Sequence, residues 1–277
     1  MPANRATLAL ARTAGLAAAL LAGACASVPP LEPDFAARAA IAGENISLPD
    51  RLRAGQAALV EERYDDAEEA FGVILAQDQN QAAANLGMGE VHLARGRPQL
   101  AQQHFAAAAA DADYKTQARQ GQAVALVMLR QEEAALPLIE EVLAAKPSLW
   151  RAWNARGLVF AARGDFPRAE ASYMRALAIN PTAATVENNL GFTHMLQGRA
   201  DQAAAHFSKA LALEPGLKAA RNNHRLALAW GGRYTEALAG VNGKEMPDVL
   251  TDLGVIALRQ GDYRRADSYF VRAMDLS

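Results

Sequence analysis

Histidines are the residues of this sequence with the most versatile chemistry, because an imidazole can transfer protons or bind a metal ion near neutral pH. His92 and His104 lie twelve residues apart, His194 and His206 repeat that spacing, and His224 is the fifth histidine. A pair within one helical hairpin could contribute two ligands to a metal site. The repeated spacing instead favours histidines that pack or lie on the surface at equivalent positions of a repeat, and we predict that role.

Catalytic motifs are absent from the sequence. It contains no H-E-x-x-H, G-x-S-x-G or P-loop motif. Adjacent acidic residues occur throughout and fit solvated helix faces better than acid–base pairs: Asp65–Asp66, Glu68–Glu69, Glu132–Glu133 and Glu140–Glu141. The sequence therefore predicts a chain that is not an enzyme and that uses no cofactor, metal or small-molecule substrate. An enzyme with an unrecognised site is the alternative.

The composition favours helices. Hydrophobic residues make up 51% of the 277 residues but aromatic residues only 6%, and alanine, the best helix former, dominates the apolar total. Strands would need more β-branched and aromatic residues. The formal net charge of −2 gives no basic excess that would attract nucleic acid. We predict an all-α fold that does not bind nucleic acid.

The first residues have the pattern of an export signal. Arg5 and Arg12 precede an apolar stretch over residues 13–24, which is shorter than the about 20 residues that span a bilayer. Small residues then lead directly to Cys25, the single cysteine, so no disulfide can form within one chain. This segment resembles a bacterial lipobox, although Ala22 stands where leucine is more usual. We predict a lipoprotein signal over residues 1–24; ordinary signal-peptidase cleavage is the alternative.

The lipobox resemblance also implies a location. Lipidation at Cys25 would anchor the mature chain to a membrane, and Ala26 is not the aspartate that favours inner-membrane retention, so the resemblance implies the outer membrane, facing the periplasm. Residues 25–47 contain Pro29, Pro30 and Pro33, which favour an extended spacer. We predict a tether between the lipid and the next domain.

A 34-residue period runs through the rest of the chain. It appears as alanines at a constant spacing, followed by one more after 29 residues: Ala67, Ala101, Ala135, Ala169, Ala203, Ala237 and Ala266. A larger apolar residue stands four positions after each alanine, on the same helix face, and a glycine usually stands twelve positions before it. The small residues would let two antiparallel helices approach closely, and the larger residue would fill the space beside the next pair.

Turn residues separate the predicted helices. Glycines at the turns can end a helix in the left-handed conformation: Gly96, Gly164, Gly198, Gly232 and Gly261. Pro147, Pro181 and Pro215 separate successive units, because proline cannot continue a helix. Residues 150–183 combine Trp153, Gly157, Phe160, Ala169, Tyr173, Ala176 and Pro181 at spacings that resemble the tetratricopeptide repeat (TPR) family.

The resemblance implies a superhelical solenoid of about seven helix-turn-helix repeats. The predicted repeats are 48–81, 82–115, 116–149, 150–183, 184–217, 218–246 and 247–277. The sixth is five residues short of the 34-residue period, so we expect a clipped second helix there. Repeats of this family bind other proteins, and the resemblance therefore implies protein partners.

In the TPR family, the second, fifth, sixth, ninth and twelfth positions of each repeat face a groove lined by the first helices. This implies a peptide-binding groove formed by Gln117, Gln120, Arg151, Asn154, Leu158, Asn188, Asn189, Phe192, Met195, Asn222, Asn223 and Leu226. An asparagine amide can pair with a peptide backbone as both donor and acceptor, although asparagine is also a common polar choice on a first helix. The lysines of the carboxylate-clamp pattern are absent, so we predict an internal or helical peptide segment as the ligand.

Two segments narrow the function further. Residues 150–157 (WRAWNARG) and 222–238 (NNHRLALAWGGRYTEAL) resemble the TadD group of Flp/Tad pilus assembly lipoproteins. The resemblance implies a scaffold that assists assembly of the pilus secretion machinery, with a secretin or assembly subunits as partners. A type IV pilotin or an adaptor lipoprotein for peptidoglycan hydrolases is the alternative.

Overall fold

The structure, a computed structural model, describes residues 46–276, which form fourteen α-helices and no strand. The helices are α1 Leu48–Val60, α2 Tyr64–Gln77, α3 Ala82–Ala94, α4 Pro98–Ala108, α5 Lys115–Met128, α6 Glu132–Ala145, α7 Trp150–Ala162, α8 Phe166–Ile179, α9 Ala184–Leu196, α10 Ala200–Leu213, α11 Lys218–Trp230, α12 Tyr234–Leu238, α13 Met246–Arg259 and α14 Tyr263–Asp275. They pair as first and second helices of successive hairpins, and the all-α repeat fold predicted from the sequence is confirmed.

The turns within the hairpins follow the glycine pattern. Gly96 has a φ of 67° and Gly261 a φ of 81°, the left-handed conformation in which glycine carries no steric cost. Asp165 and Asp262 cap the second helices that follow their turns, because each carboxylate accepts a hydrogen bond from a backbone N–H three residues later. The turn between two helices is therefore determined by only a few local residues.

The periodic alanines lie where the two helices of a hairpin meet. The six alanines at the 34-residue spacing are each fully buried: Ala67, Ala101, Ala135, Ala169, Ala203 and Ala237. In the first five repeats the larger residue four positions later is also fully buried: Phe71, Phe105, Ile139, Tyr173 and Phe207. The rings of Tyr173 and Phe207 lie against Gly157 and Gly191 of the preceding first helices, which leaves no room for a side chain at either glycine. The predicted packing roles are confirmed.

The described residues divide into two compact units, residues 46–186 and residues 187–276, with the boundary inside α9. The N-terminal unit contains two apolar clusters, one around Phe71 and Ile74 and one around Phe105 and Ile139. The C-terminal unit has its own cluster, which includes Phe207. Each unit therefore has an apolar core that stabilises it.

The sixth repeat is the irregular one. Its second helix, α12, has five residues, whereas the other second helices have eleven to fourteen. The expected clipped helix is confirmed. The chain instead runs through a turn at Gly240, with a φ of 69°, before α13 begins at Met246. This irregular connection brings Glu245 beside Arg225 of α11.

The predicted signal segment (residues 1–24), Cys25 and nearly all of the tether lie outside the described residues. Among the helices within residues 46–276, none is both long enough and apolar enough to cross a bilayer. Lipidation and membrane attachment therefore stay predictions from the sequence.

Candidate functional site

In the N-terminal unit, the predicted groove residues range from buried to half-buried. Gln120 is 7% exposed and Asn154 is 5% exposed, whereas Gln117 and Leu158 are half-buried. Helices α3, α5 and α7, which carry the first-helix positions, pack in series. Peptide contact with these residues stays a prediction.

An ion pair joins first helices across two repeats of this unit. The two terminal guanidinium nitrogens of Arg151 on α7 donate to the two carboxylate oxygens of Glu90 on α3, each at 2.9 Å. The side chains are 19% and 15% exposed, so solvent screens this bidentate pair only partly. Arg151 thus contacts a residue of the same chain, 61 positions earlier in sequence. Sequence reasoning missed Glu90, although it stands at the ninth repeat position, as Leu158 does.

In the C-terminal unit, the predicted groove asparagines are divided between two environments. Asn188, Asn189 and Asn223 are at most 6% exposed, and the amide of Asn223 donates to Oδ1 of Asn188 at 3.0 Å. The amides of Asn188 and Asn223 therefore join α9 to α11. Asn222 is exposed. Peptide contact with any of the four stays a prediction.

An open cleft of about 270 Å³ lies between α11 and α13. We call it the α11–α13 cleft; its lining is Lys218, Arg221, Asn222, Arg225, Leu226, Glu245, Asp248, Val249, Asp252 and Leu253. Two predicted groove residues, Asn222 and Leu226, therefore lie together in it. The others predicted in this unit, Phe192 and Met195, are partly buried against the same apolar cluster as Leu226.

The floor of the α11–α13 cleft is apolar and packs against the core of the C-terminal unit. Leu253 is fully buried, and Leu226 and Val249 are half-buried against the apolar cluster of the C-terminal unit. A side chain that entered the cleft would cover the remaining exposed surface of these two residues. Such an apolar floor with polar groups around it is typical of a binding site.

Opposite charges line the two walls of the cleft. Basic residues stand on α11 at Lys218, Arg221 and Arg225, spaced three and four apart, so they share one helix face. Asp248 and Asp252 stand four apart on α13. The sequence prediction stopped at the sixth repeat and missed both aspartates. Applying the same second and sixth repeat positions to the seventh repeat would have identified them.

Local contacts set the electrostatics of the cleft. Arg225 donates to a carboxylate oxygen of Glu245 at 3.1 Å, and that hydrogen bond, with a second from Asn242, lowers the pKa of Glu245. Arg221 donates to the backbone carbonyl of Pro215 at 2.8 Å. Partial burial, followed by repulsion from Asp248, raises the pKa of Asp252. The α13 wall therefore carries two acids, and the charge of Asp248 disfavours the charged form of Asp252.

The two rings of each histidine pair lie against each other, tilted by 31° in one pair and by 15° in the other. The ring centroids are 5.2 Å apart in the first histidine pair, His92 and His104, and 5.1 Å apart in the second histidine pair, His194 and His206. Nδ1 of His104 lies 2.9 Å from Oδ1 of Asn85, and Nδ1 of His206 lies 2.7 Å from a carboxylate oxygen of Glu187. Across residues 46–276, no three potential ligands gather as a metal site would require. The rings pack against each other in both repeats.

Burial also shifts the titration of these rings. It lowers the pKa of His92, with a further contribution from the neighbouring ring of His104, and it lowers the pKa of His104 itself. Burial lowers the pKa of His224 as well, followed by the charge of Arg233. These three imidazoles therefore favour the neutral form more strongly than an exposed histidine does.

Comparison with known proteins identifies the repeat. Sequence models described as tetratricopeptide repeat match residues 52–115 and 121–184, residues 184–217, and residues 249–277, which together make up more than half of the chain. A search of curated proteins found no match.

Solved structures share the fold. The thermophilic TPR protein TTC0263 of Thermus thermophilus is 26% identical, with a TM-score of 0.55 over 69% of this chain and 99% of that one. PilW, described as a widely conserved type IV pilus biogenesis factor, is 20% identical, with a TM-score of 0.53 over 81% of this chain and 91% of that one. Human IFIT1, solved as a dimer with m7Gppp-AAAA, is 17% identical, with a TM-score of 0.67 over 83% of this chain and 58% of that one. At these identities, the last two likenesses show the fold alone.

Proposed function

We propose that this chain, which belongs to the tetratricopeptide repeat family, is an envelope-anchored scaffold that assists assembly of the Flp/Tad pilus secretion machinery. The repeats themselves indicate a protein-binding scaffold, and no enzymatic family is indicated. The observation that carries the binding role is the α11–α13 cleft, which combines an apolar floor with charged walls on first helices. A protein segment is the ligand that such a surface fits.

The pilus role rests on sequence. Residues 150–157 and 222–238 carry the resemblance to Flp/Tad pilus assembly lipoproteins, and the second of these segments includes most of the α11 wall of the cleft. PilW, described as a type IV pilus biogenesis factor, shares the fold, which is compatible with this role but contributes fold information only. The proposed clients are a secretin or pilus assembly subunits.

Anchoring at Cys25 is the second part of the proposal. The lipobox-like segment before Cys25 supports lipidation, and placement at the outer membrane follows from the resemblance. Mass spectrometry of the N-terminal peptide from membranes should find a lipid-modified Cys25, and Cys25→Ser should release the chain from the membrane fraction. A mature N-terminus without lipid would contradict this part of the proposal and leave the binding role untouched.

A pull-down from detergent-solubilised membranes tests the client. Leu226→Ala removes apolar surface from the cleft, whereas Leu158→Ala makes the same change at the same repeat position of the N-terminal unit, where the side chain is also half-buried. We expect a secretin or pilus assembly subunits to be recovered with the wild type and with Leu158→Ala, and to be lost with Leu226→Ala. Circular dichroism of both variants checks that they are folded.

Two results would contradict the proposal. Recovery of peptidoglycan hydrolases in place of pilus components would identify the chain as an adaptor for cell-wall enzymes. Equal recovery of pilus components by the two leucine variants would remove the α11–α13 cleft as the binding site.

A further inference from the structure

The charged residues of the α11–α13 cleft differ in whether they already have partners. Arg225 is paired with Glu245, so its charge is largely balanced within the chain. Among residues 46–276, no acidic side chain lies within ion-pair distance of Lys218 or Arg221, and no basic side chain lies within that distance of Asp248 or Asp252. The unpaired charges are therefore basic on α11 and acidic on α13.

The basic side chains on α11 and the acidic side chains on α13 line the same cleft but form no ion pair across it. Arg221 uses one nitrogen for the carbonyl of Pro215, which leaves its other N–H groups available. On the opposite wall, Asp248 and Asp252 repel each other at a spacing of four residues on one helix. A cation placed between these carboxylates would remove that repulsion, and an anion beside Arg221 would complete its hydrogen bonding.

The size of the cleft limits what enters it. The cleft volume of about 270 Å³ is smaller than most small-molecule pockets. One turn of a helix, about 10 Å across and 5.4 Å high, occupies roughly 400 Å³. The cleft therefore admits side chains rather than a whole helix. Leu226 and Val249 offer the partly exposed apolar surface between the charged walls. An entering side chain with an apolar stem and a charged end would use both features.

We propose that the α11–α13 cleft binds a peptide segment with one apolar side chain against Leu226 and Val249, a basic side chain toward Asp248 and Asp252, and an acidic side chain toward Arg221. This inference rests on the proposed binding function and specifies its partner. The two walls require opposite charges on the two flanks of the ligand, so they also define the direction in which the segment lies.

Designed peptides test the charge pattern directly. Three helical peptides of equal length share one apolar stripe: the first has lysine on one flank and glutamate on the other, the second has lysine on both, and the third has glutamate on both. Their affinities for the full chain in detergent are measured by fluorescence anisotropy. We expect the peptide with opposite flanks to bind most tightly, and added salt to weaken it.

Neutralising the acidic wall should affect the peptides selectively. Asp248→Asn with Asp252→Asn should weaken the peptide with opposite flanks by about tenfold, and should leave the glutamate peptide unweakened. The matched control is Asp267→Asn with Asp275→Asn, which makes the same change of charge at exposed positions of α14. The control should leave all three affinities unchanged.

The outcomes separate this inference from the proposed function. The charge pattern is wrong if the peptide with opposite flanks binds no tighter than the other two, or if the α14 control weakens it equally. Loss of pilus components with Leu226→Ala would still support the scaffold in that case. If Leu226→Ala instead retained those components while the peptides behaved as expected, the cleft would bind this peptide class but the proposed clients would be wrong.

Discussion

Gly121 offers the sharpest test of how these repeats pack. It lies inside α5, and a Cβ atom added there would stand 2.4 Å from Cζ of Phe105. The same ring would lie 2.5 Å from a Cβ atom at Gly89, so it is held between two first helices. Phe105 is fully buried and has no free space into which it could retreat. We therefore expect Gly121→Ala to destabilise the N-terminal unit.

The magnitude follows from two opposing effects. Inserting a methyl group into a filled core costs about 1–3 kcal/mol. Replacing glycine by alanine inside a helix returns about 0.5–1 kcal/mol, because alanine loses less conformational entropy on folding. The steric effect is the larger of the two, so Gly121→Ala should lower the free energy of unfolding by about 0.5–2 kcal/mol.

Gly72→Ala is the matched control. Gly72 also lies inside a helix, α2, but the nearest atom to an added Cβ is Cε of Met88 at 4.0 Å, an ordinary contact distance. Only the helix-propensity effect remains, and we expect this variant to be stabilised by about 0.5–1 kcal/mol. The two substitutions are chemically identical, yet they should shift stability in opposite directions.

Urea denaturation followed by far-ultraviolet circular dichroism measures both variants. Repeat arrays unfold in parts, so hydrogen exchange in α5 and α2 should accompany the bulk measurement and locate the change. Phe105→Leu should cost less in the Gly121→Ala background than in the wild type, because the smaller side chain relieves the clash. Equal shifts of the same sign for the two glycine variants would refute the packing argument.

Three further predictions concern side-chain contacts. Burial lowers the pKa of His92 in the first histidine pair, so its contribution to the free energy of unfolding should be fully present above about pH 6.5. The free energy of unfolding should fall as the pH drops below that value, because the histidine of the unfolded chain binds a proton more readily. Urea titrations across this pH range should show a smaller loss of stability for His92→Gln. Glu90→Gln removes the carboxylate that accepts two hydrogen bonds from half-buried Arg151 and should cost about 1–3 kcal/mol in the same assay; an unchanged midpoint would show that the bidentate pair contributes nothing to stability. Asn223→Ala leaves a buried amide partner unsatisfied and should cost about 1–3 kcal/mol, whereas exposed Asn222→Ala should change stability by less than about 0.5 kcal/mol; equal effects would contradict the assigned environments.

The asparagine result also bears on how the groove should be tested. Replacing Asn223 removes a hydrogen bond between α9 and α11, so any loss of partner binding would be mixed with a loss of stability. Asn222 and Leu226 line the open cleft and avoid the buried amide contact. They are therefore the better positions for a binding test in the C-terminal unit.

The repeat itself could be predicted from the sequence because its determinants are local and periodic. The spacing of Ala67, Ala101 and their equivalents defines which helix faces touch, and glycines such as Gly96 define where helices end. Even the clipped α12 follows from five missing residues in one repeat. These features depend on backbone geometry and side-chain size within a few turns, which the sequence displays directly.

The tertiary structure alone decided which predicted groove residues are open. Repeat position places Arg151 and Asn223 on the correct helices, but the partners that engage them, Glu90 and Asn188, lie 61 and 35 residues earlier in the chain. The α11–α13 cleft likewise depends on α13 packing beside α11. Exposure depends on neighbours that are distant in sequence, so the periodic pattern determined the repeat fold, and long-range packing determined how exposed each part of its surface is.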